Sequence, residues 1–239
     1  MFKMFVFHFA NPFLSLKIGD DKFDKMASVH MKLISVITAG GYLLNPMFIE
    51  YRTATNSLYA QYSASRGKKA LNISQRSGKT ISVNQLVKNI KNFISLKEGI
   101  IKNKYRVGTP EYEEIYPIGK SEYNKATKKN IIKLFKRFID SLSVHKADFD
   151  AALLAEAQAL YDNLMQAMSA QSGKKGEVKD TTSGTKELRR QLAVQLYKNM
   201  LVLLLINAEN PEKVKDYFDE SFIKHAAKVT QTVEQPVNN

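Results

Sequence analysis

The chain resembles itself at a displacement of 106 residues, and a repeated supersecondary unit constrains architecture before any single residue is interpreted. Gly67-Lys68-Lys69 and Ser77-Gly78 recur as Gly173-Lys174-Lys175 and Ser183-Gly184, with ten residues from glycine to serine in both. In the same register Glu50 meets Glu156, Leu58 meets Leu164, Ser63-Ala64 meets Ser169-Ala170, and Gln85-Leu86 meets Gln191-Leu192. Eleven identities fall in the ungapped comparison of 46–96 with 152–202. The matched glycines and equal polar intervals read as the duplication of two helices joined by a loop.

Apolar residues recur at helical spacing almost everywhere after residue 22, which predicts an all-α chain. Met26, Val29, Leu33 and Ile37 trace one face of a first helix, ended by Gly40-Gly41. Asn45 can cap and Pro46 can open a second helix running to about Arg66. A polar loop leads to Ser82-x-x-Gln85, a capping box for a third helix carrying Leu86, Ile90, Phe93 and Ile101. Thr109-Pro110-Glu111 begins a short helix that Pro117 and Gly119 end. A fourth helix is expected from about Ser121, with Ile131, Ile132, Phe135, Phe138, Ile139 and Leu142 along it. A fifth spans 150–170, a second polar loop 173–184, and a sixth 187–207, whose all-apolar run 200–206 implies burial on every side. Asn210-Pro211-Glu212 starts a short acidic helix.

The expected architecture is a helical bundle of two tandem three-helix units, because helices that each expose an apolar stripe must pair. The first, basic unit covers 22–106 and the second 120–225, with a linker and short helix at 107–119. Residues 1–21 precede them as an extended segment, in which Phe5, Phe7 and Phe9 alternate as in a short strand, and 226–239 follow as a tail.

Ile115-Tyr116-Pro117-Ile118-Gly119-Lys120-Ser121-Glu122-Tyr123, Leu196-Tyr197-Lys198-Asn199, Asn210-Pro211-Glu212-Lys213-Val214 and Asp216-Tyr217-Phe218-Asp219 resemble patterns in uncharacterised helical proteins from bacterial genomes. The resemblance covers mainly 110–222. It implies an all-helical fold and transfers no site.

The 239 residues contain no cysteine, so disulfides, thiolate metal sites and cysteine nucleophiles are excluded. That composition is compatible with a reducing compartment, and a cytoplasmic location is expected. The apolar stretch within 1–10 is broken by His8 and followed by Asn11-Pro12 without a small-residue cleavage site, which argues against a signal peptide. No apolar run approaches the roughly 20 residues a transmembrane helix needs.

The net charge of +13 is uneven. Residues 1–107 hold 17 Lys and Arg against 5 Asp and Glu; residues 108–239 hold 19 against 18. Within 52–107 Glu98 stands alone against twelve basic residues. Arg66, Lys68, Lys69, Arg76 and Lys79 gather around the first polar loop, making a positive tip that is the candidate polyanion-binding site, with Tyr51, Tyr59, Tyr62 and Tyr105 nearby. The alternatives are a solvated basic surface, contact with a protein partner, or contact with an anionic membrane surface.

Other motifs are weaker. Ser77-Gly78-Lys79-Thr80 has the ending of a phosphate-binding loop, but Ile73 stands where that motif needs its first glycine. His145, Asp148 and Asp150 have metal-ligand chemistry, yet Asp148 reads as the cap of the fifth helix. His8, His30 and His225 lack ligand-spaced neighbours, and His30 reads as a boundary residue. Glu111, Glu113 and Glu114 begin a short helix, where negative charge is favourable without catalysis. The expectation is a non-enzymatic helical interaction or scaffold protein without cofactor or metal, its protein partner unidentified. A basic nucleic-acid or other polyanion binder acting through the first unit is the alternative.

Overall fold

Asn45 and Pro46 begin the longest helix of the chain in the way their chemistry suggests. The Asn45 side-chain oxygen accepts from the backbone N–H groups of Met47 at 3.0 Å and Phe48 at 3.3 Å, and proline at the first position has no N–H to orphan. The computed structural model describes residues 11–37 and 42–218. Its helices are α1 (Pro12–Ser15), α2 (Asp20–Ser35), α3 (Pro46–Lys104), α4 (Pro110–Ile115), α5 (Ser121–Lys125), α6 (Asn130–Val144) and α7 (Ala151–Ile206). Short 3₁₀ turns occupy Lys146–Asp148 and Pro211–Tyr217, and no strand occurs among the described residues. The strand-like 1–10, the Gly40-Gly41 helix end, the tail 226–239, His8 and His225 lie outside the described residues.

Contacts divide the chain into two compact units, Met1–Lys69 with Asp180–Asn239, and Ala70–Lys179. In the first, α2 lays Phe23, Met26, Ala27, His30 and Ile34 against the early part of α3 and the late part of α7. The two long helices run antiparallel there, since Thr55 meets Asn199 while Ser65 meets Thr185. Asn11 caps α1 and ties it to the Ala193 carbonyl at 3.2 Å. Phe218 packs on Phe13 of α1 and stacks on His30.

The second unit repeats this plan with α6 in place of α2. Phe135, Phe138, Ile139 and Leu142 are buried on α6 at the spacing that Phe23, Met26, Ala27 and His30 follow on α2. They pack with Ile90, Phe93, Ile94 and Ile101 of α3 and Leu153, Ala157 and Leu164 of α7. The long helices again run antiparallel, Thr80 meeting Gln171 and Lys97 meeting Glu156. Tyr112, Tyr116 and Tyr123 close this core, and the latter two spend their hydroxyls on the carbonyls of Ile94 and Ile115, each at 2.9 Å.

Several local expectations are corrected. The polar segments 67–81 and 173–184 are not loops but lie inside α3 and α7, so the second and third expected helices are one, as are the fifth and sixth. Ser82 is an interior residue rather than a cap, donating to the Gly78 carbonyl at 3.2 Å. Thr80 and Thr185 likewise donate to carbonyls four residues back. Such bonds satisfy hydroxyls that would otherwise compete with the helix, and once a helix is nucleated, propagation through a glycine costs only about 1 kcal/mol.

The expected fourth helix is two, because α5 stops where Ala126 turns extended and the Lys91 ammonium donates to the carbonyls of Asn124 at 2.9 Å and Ala126 at 2.8 Å. Met26 and Ile37 are buried as expected, but Val29 and Leu33 are only half-buried, and Phe23, Ala27, Ile34 and His30, at 1% exposure, complete the inward face of α2. The apolar run 200–206 is not buried all round, since Leu201 and Leu205 are 47% and 64% exposed. The acidic helix at 211 is a 3₁₀ turn.

Candidate functional site

The five basic candidates stand along one helix, not at a loop tip. Arg66 is held by Asp21 and by Asp24 at 2.8 Å, and Lys69 reaches Asp20 at 3.4 Å. These two therefore dock α2 on α3, and their charge is answered locally. Lys68, Arg76 and Lys79 are exposed and make no ion pair among the described residues. Helix continuity removes the Gly/Ser loop that would have gathered them, because side chains eight to eleven residues apart on a helix are two to three turns apart. The Tyr neighbours also have other work. Tyr62 is buried, with its ring edge against Phe23, and Tyr105 donates to Asp148 at 2.6 Å.

A denser basic cluster lies in the second unit at the junction of α5 and α6. Lys125, Lys128, Lys129 and Lys133 fall within nine residues that contain no carboxylate. Lys128 donates to Asn84 at 3.3 Å and Ser95 to the Asn124 side chain at 3.4 Å, so the stripe Asn84, Lys88, Lys91, Ser95 of α3 faces this junction. None of the six lysines has a carboxylate partner among the described residues. The nearest acid in sequence, Glu122, is committed to Arg137 at 2.5 and 3.3 Å. A cleft of about 430 Å³ opens here between Ser121, Lys125, Asn130 and Lys133, with Ile118 and Leu134 as its apolar wall. Counting charge over the whole second half hid this cluster; the spacing of its lysines was the available signal.

Two buried polar groups sit in hydrogen-bonded networks, one in each unit. His30 presents Nδ1 to the Tyr217 carbonyl at 2.7 Å and Nε2 to the Asn199 amide at 2.9 Å. A carbonyl only accepts, so Nδ1 carries the proton and Nε2 accepts. The remaining Asn199 hydrogen goes to Thr55 at 2.8 Å, and Gln195 donates to both Asn199 and the Tyr51 carbonyl at 3.3 Å. Every direction is fixed by a backbone carbonyl at each end, and the ring is neutral. Burial pushes the His30 pKa down to about 4, with the Tyr217 carbonyl opposing.

Glu98 is the other such group. Its side chain is 8% exposed between Lys102 at 3.1 Å and Lys120 at 2.9 Å, with the Tyr112 hydroxyl at 3.3 Å. Burial raises its pKa, but the two ammonium groups prevail and leave it below the ordinary carboxylate value. The lone acid of the basic stretch thus anchors the loop bearing Lys120 onto α3.

The remaining motifs resolve into structure. Ser77-Gly78-Lys79-Thr80 is one turn of α3. The cap of α7 is Asp150, which accepts from Ala152 N–H at 2.8 Å, whereas Asp148 binds Tyr105 and Lys104. His145 meets Glu114 at 2.8 Å across α6 and α4. Among the described residues no group of three or more His, Asp or Glu is placed to hold a metal ion, and no helix is long and apolar enough to cross a membrane. No family model, curated protein or solved structure matches this chain.

Proposed function

We propose that the protein is a non-enzymatic helical interaction or scaffold protein. What supports this reading is an apolar face left open on α3. Leu96 and Ile100, one turn apart, are 77% and 50% exposed. They border a cleft of about 430 Å³ whose lining also includes the half-buried Leu160 and the edge of the buried Phe93. Apolar anchors four residues apart beside a groove suit an amphipathic helix of a protein partner. A photo-crosslinking residue at Asn92, in cells that produce the protein naturally, should give a discrete adduct. Leu96→Asp with Ile100→Asp should abolish it without lowering the thermal midpoint. An adduct unchanged by the double substitution would sink the proposal.

The polyanion reading is favoured by a separate observation, the exposed Lys68, Arg76 and Lys79, which have no ion-pair partner among the described residues. Retention on heparin or DNA that weakens steeply with salt would support it. Equal loss on reversing Lys174 and Lys175 would assign binding to diffuse charge.

We also infer that the chain is a tandem duplication, its copies lying within 22–106 and 120–225. The 106-residue register carries the start of α3 to within one residue of the start of α7, and the matched burial pattern on α2 and α6 supports it. Superposing experimental coordinates of 46–96 on 152–202 should bring Phe23 and Met26 near Phe135 and Phe138. If α2 and α6 then fall on different sides of the long helix, the identities are shared composition only.

A further inference from the structure

We infer that the α5–α6 junction of the second unit is a docking surface for the phosphate backbone of a double-stranded nucleic acid. The inference rests on the polyanion reading but places the contact at Lys88, Lys125, Lys129 and Lys133, not at the candidates on the first half of α3. Six lysines without a carboxylate partner among the described residues converge here, and two of them are already engaged. Lys91 ties off the end of α5 by its two carbonyl bonds, and Lys128 holds Asn84. The other four are exposed.

Such an arrangement costs the free protein. Lys128 and Lys129 precede α6, whose first turn contains no acidic residue. Cations at a helix N-terminus oppose the dipole, where carboxylates are normally favoured. A bound anion reverses that sign and supplies a countercharge of the kind that several other basic groups of this unit find within the chain. Lys97, Lys102, Lys104, Lys120, Lys136 and Arg137 all have carboxylate partners.

The chemistry selects among anions. Lysines are point charges on flexible stems, suited to successive phosphates rather than to one planar carboxylate. The four ammonium groups come from α3, α5 and the start of α6 and extend beyond the cleft, more than one small anion engages. No aromatic side chain lines the cleft, so there is no platform on which single-strand bases would stack. Phosphate contacts without stacking or guanidinium forks describe backbone binding to a duplex, with little sequence preference.

The test is fluorescence anisotropy of a labelled 20-base-pair DNA duplex with the full chain between 50 and 200 mM salt. Four phosphate contacts predict a slope of log K on log salt of about −4. Lys125→Glu, Lys129→Glu and Lys133→Glu together should weaken binding at least tenfold and lower the slope by about 3. The corresponding Gln triple variant should show the same direction with an unchanged thermal midpoint, which separates charge loss from unfolding. Lys68→Glu, Arg76→Glu and Lys79→Glu should matter less. Loss only in that second set would overturn the junction while leaving the polyanion reading intact. Equal insensitivity in both sets would overturn both, as diffuse charge. Heparin or anionic vesicles bound at 50 mM salt with no duplex binding would overturn the assignment to nucleic acid.

Discussion

Lowering the pH from 7 to 5 should destabilise the first unit through a single neutral imidazole. His30 has an ordinary value of 6.5 and a folded value of about 4. Unfolded chains therefore take up a proton at higher pH than folded ones, and stability falls as the pH drops from 6.5 towards 4. Above that window the contribution is intact; below it both states are protonated and the loss levels off. The difference amounts to about 2 kcal/mol at pH 5 and about 3 kcal/mol in full. The structural cause is directional: a protonated Nε2 would point a hydrogen at the Asn199 amide. That amide cannot invert without setting its NH₂ against Gln195, which the Tyr51 carbonyl holds. Urea unfolding at matched ionic strength reads the effect as a midpoint shift of about 1 M for a slope near 2 kcal/mol per M. His30→Leu supplies the control. It leaves the Tyr217 carbonyl and the Asn199 amide unpaired, costing about 1–3 kcal/mol at pH 7, but removes the titration. The depressed carboxylates Asp20, Glu98 and Asp148 lose their contribution only as pH falls below their ordinary values of 3.8 to 4.5. A wild-type midpoint that moves no further than the His30→Leu midpoint between pH 7 and 5 would refute the reasoning.

Two other perturbations test the fold. Gly78→Ala and Gly176→Ala should each stabilise by about 0.5–1 kcal/mol in thermal unfolding, since an added Cβ meets nothing within 4 Å at either position; a destabilisation would restore the loop reading of these segments. Glu98→Gln should cost about 1–3 kcal/mol, because it leaves Lys102 and Lys120 beside a neutral amide, and a double-mutant cycle with Lys120→Met should show coupling. Additive losses in that cycle would mean the pair is spectator charge.

Two helix starts were legible from the chemistry of their own termini. Asn45-Pro46 and Thr109-Pro110 each begin a helix as their side chains predict, Thr109 accepting from Tyr112 N–H at 3.4 Å. The misreadings came from residues whose local preference was overruled. Gly67, Gly78, Gly173 and Gly184 signal loops in isolation, but flanking turns propagate through them and Ser and Thr hydroxyls find carbonyls one turn back. His30 read as a boundary residue because its burial needs partners 169 and 187 residues away in sequence, Asn199 and Tyr217. The candidate basic site was half legible: the charge was evident, but its neutralisation at Arg66 and Lys69 depends on where α2 lies. The junction lysines sat within a nearly neutral half, and only their spacing could have disclosed them.

The first unit is discontinuous, drawing its core from residues up to 69 and again from 180 onward, and this sets an order of events during synthesis. The stretch 70–179 is complete in sequence before the ribosome reaches the residues that close the other core. Phe23, Met26 and Tyr62 emerge early, yet their partners Leu192, Leu196 and Phe218 arrive last. At roughly 5–20 residues per second the early apolar side chains wait on the order of 7–30 s for them. In order of synthesis, the residues of the middle unit are therefore all present before those that close the first core. Truncated chains ending near residue 180 and released from the ribosome would show a protease-resistant 70–179 fragment beside a digestible amino end.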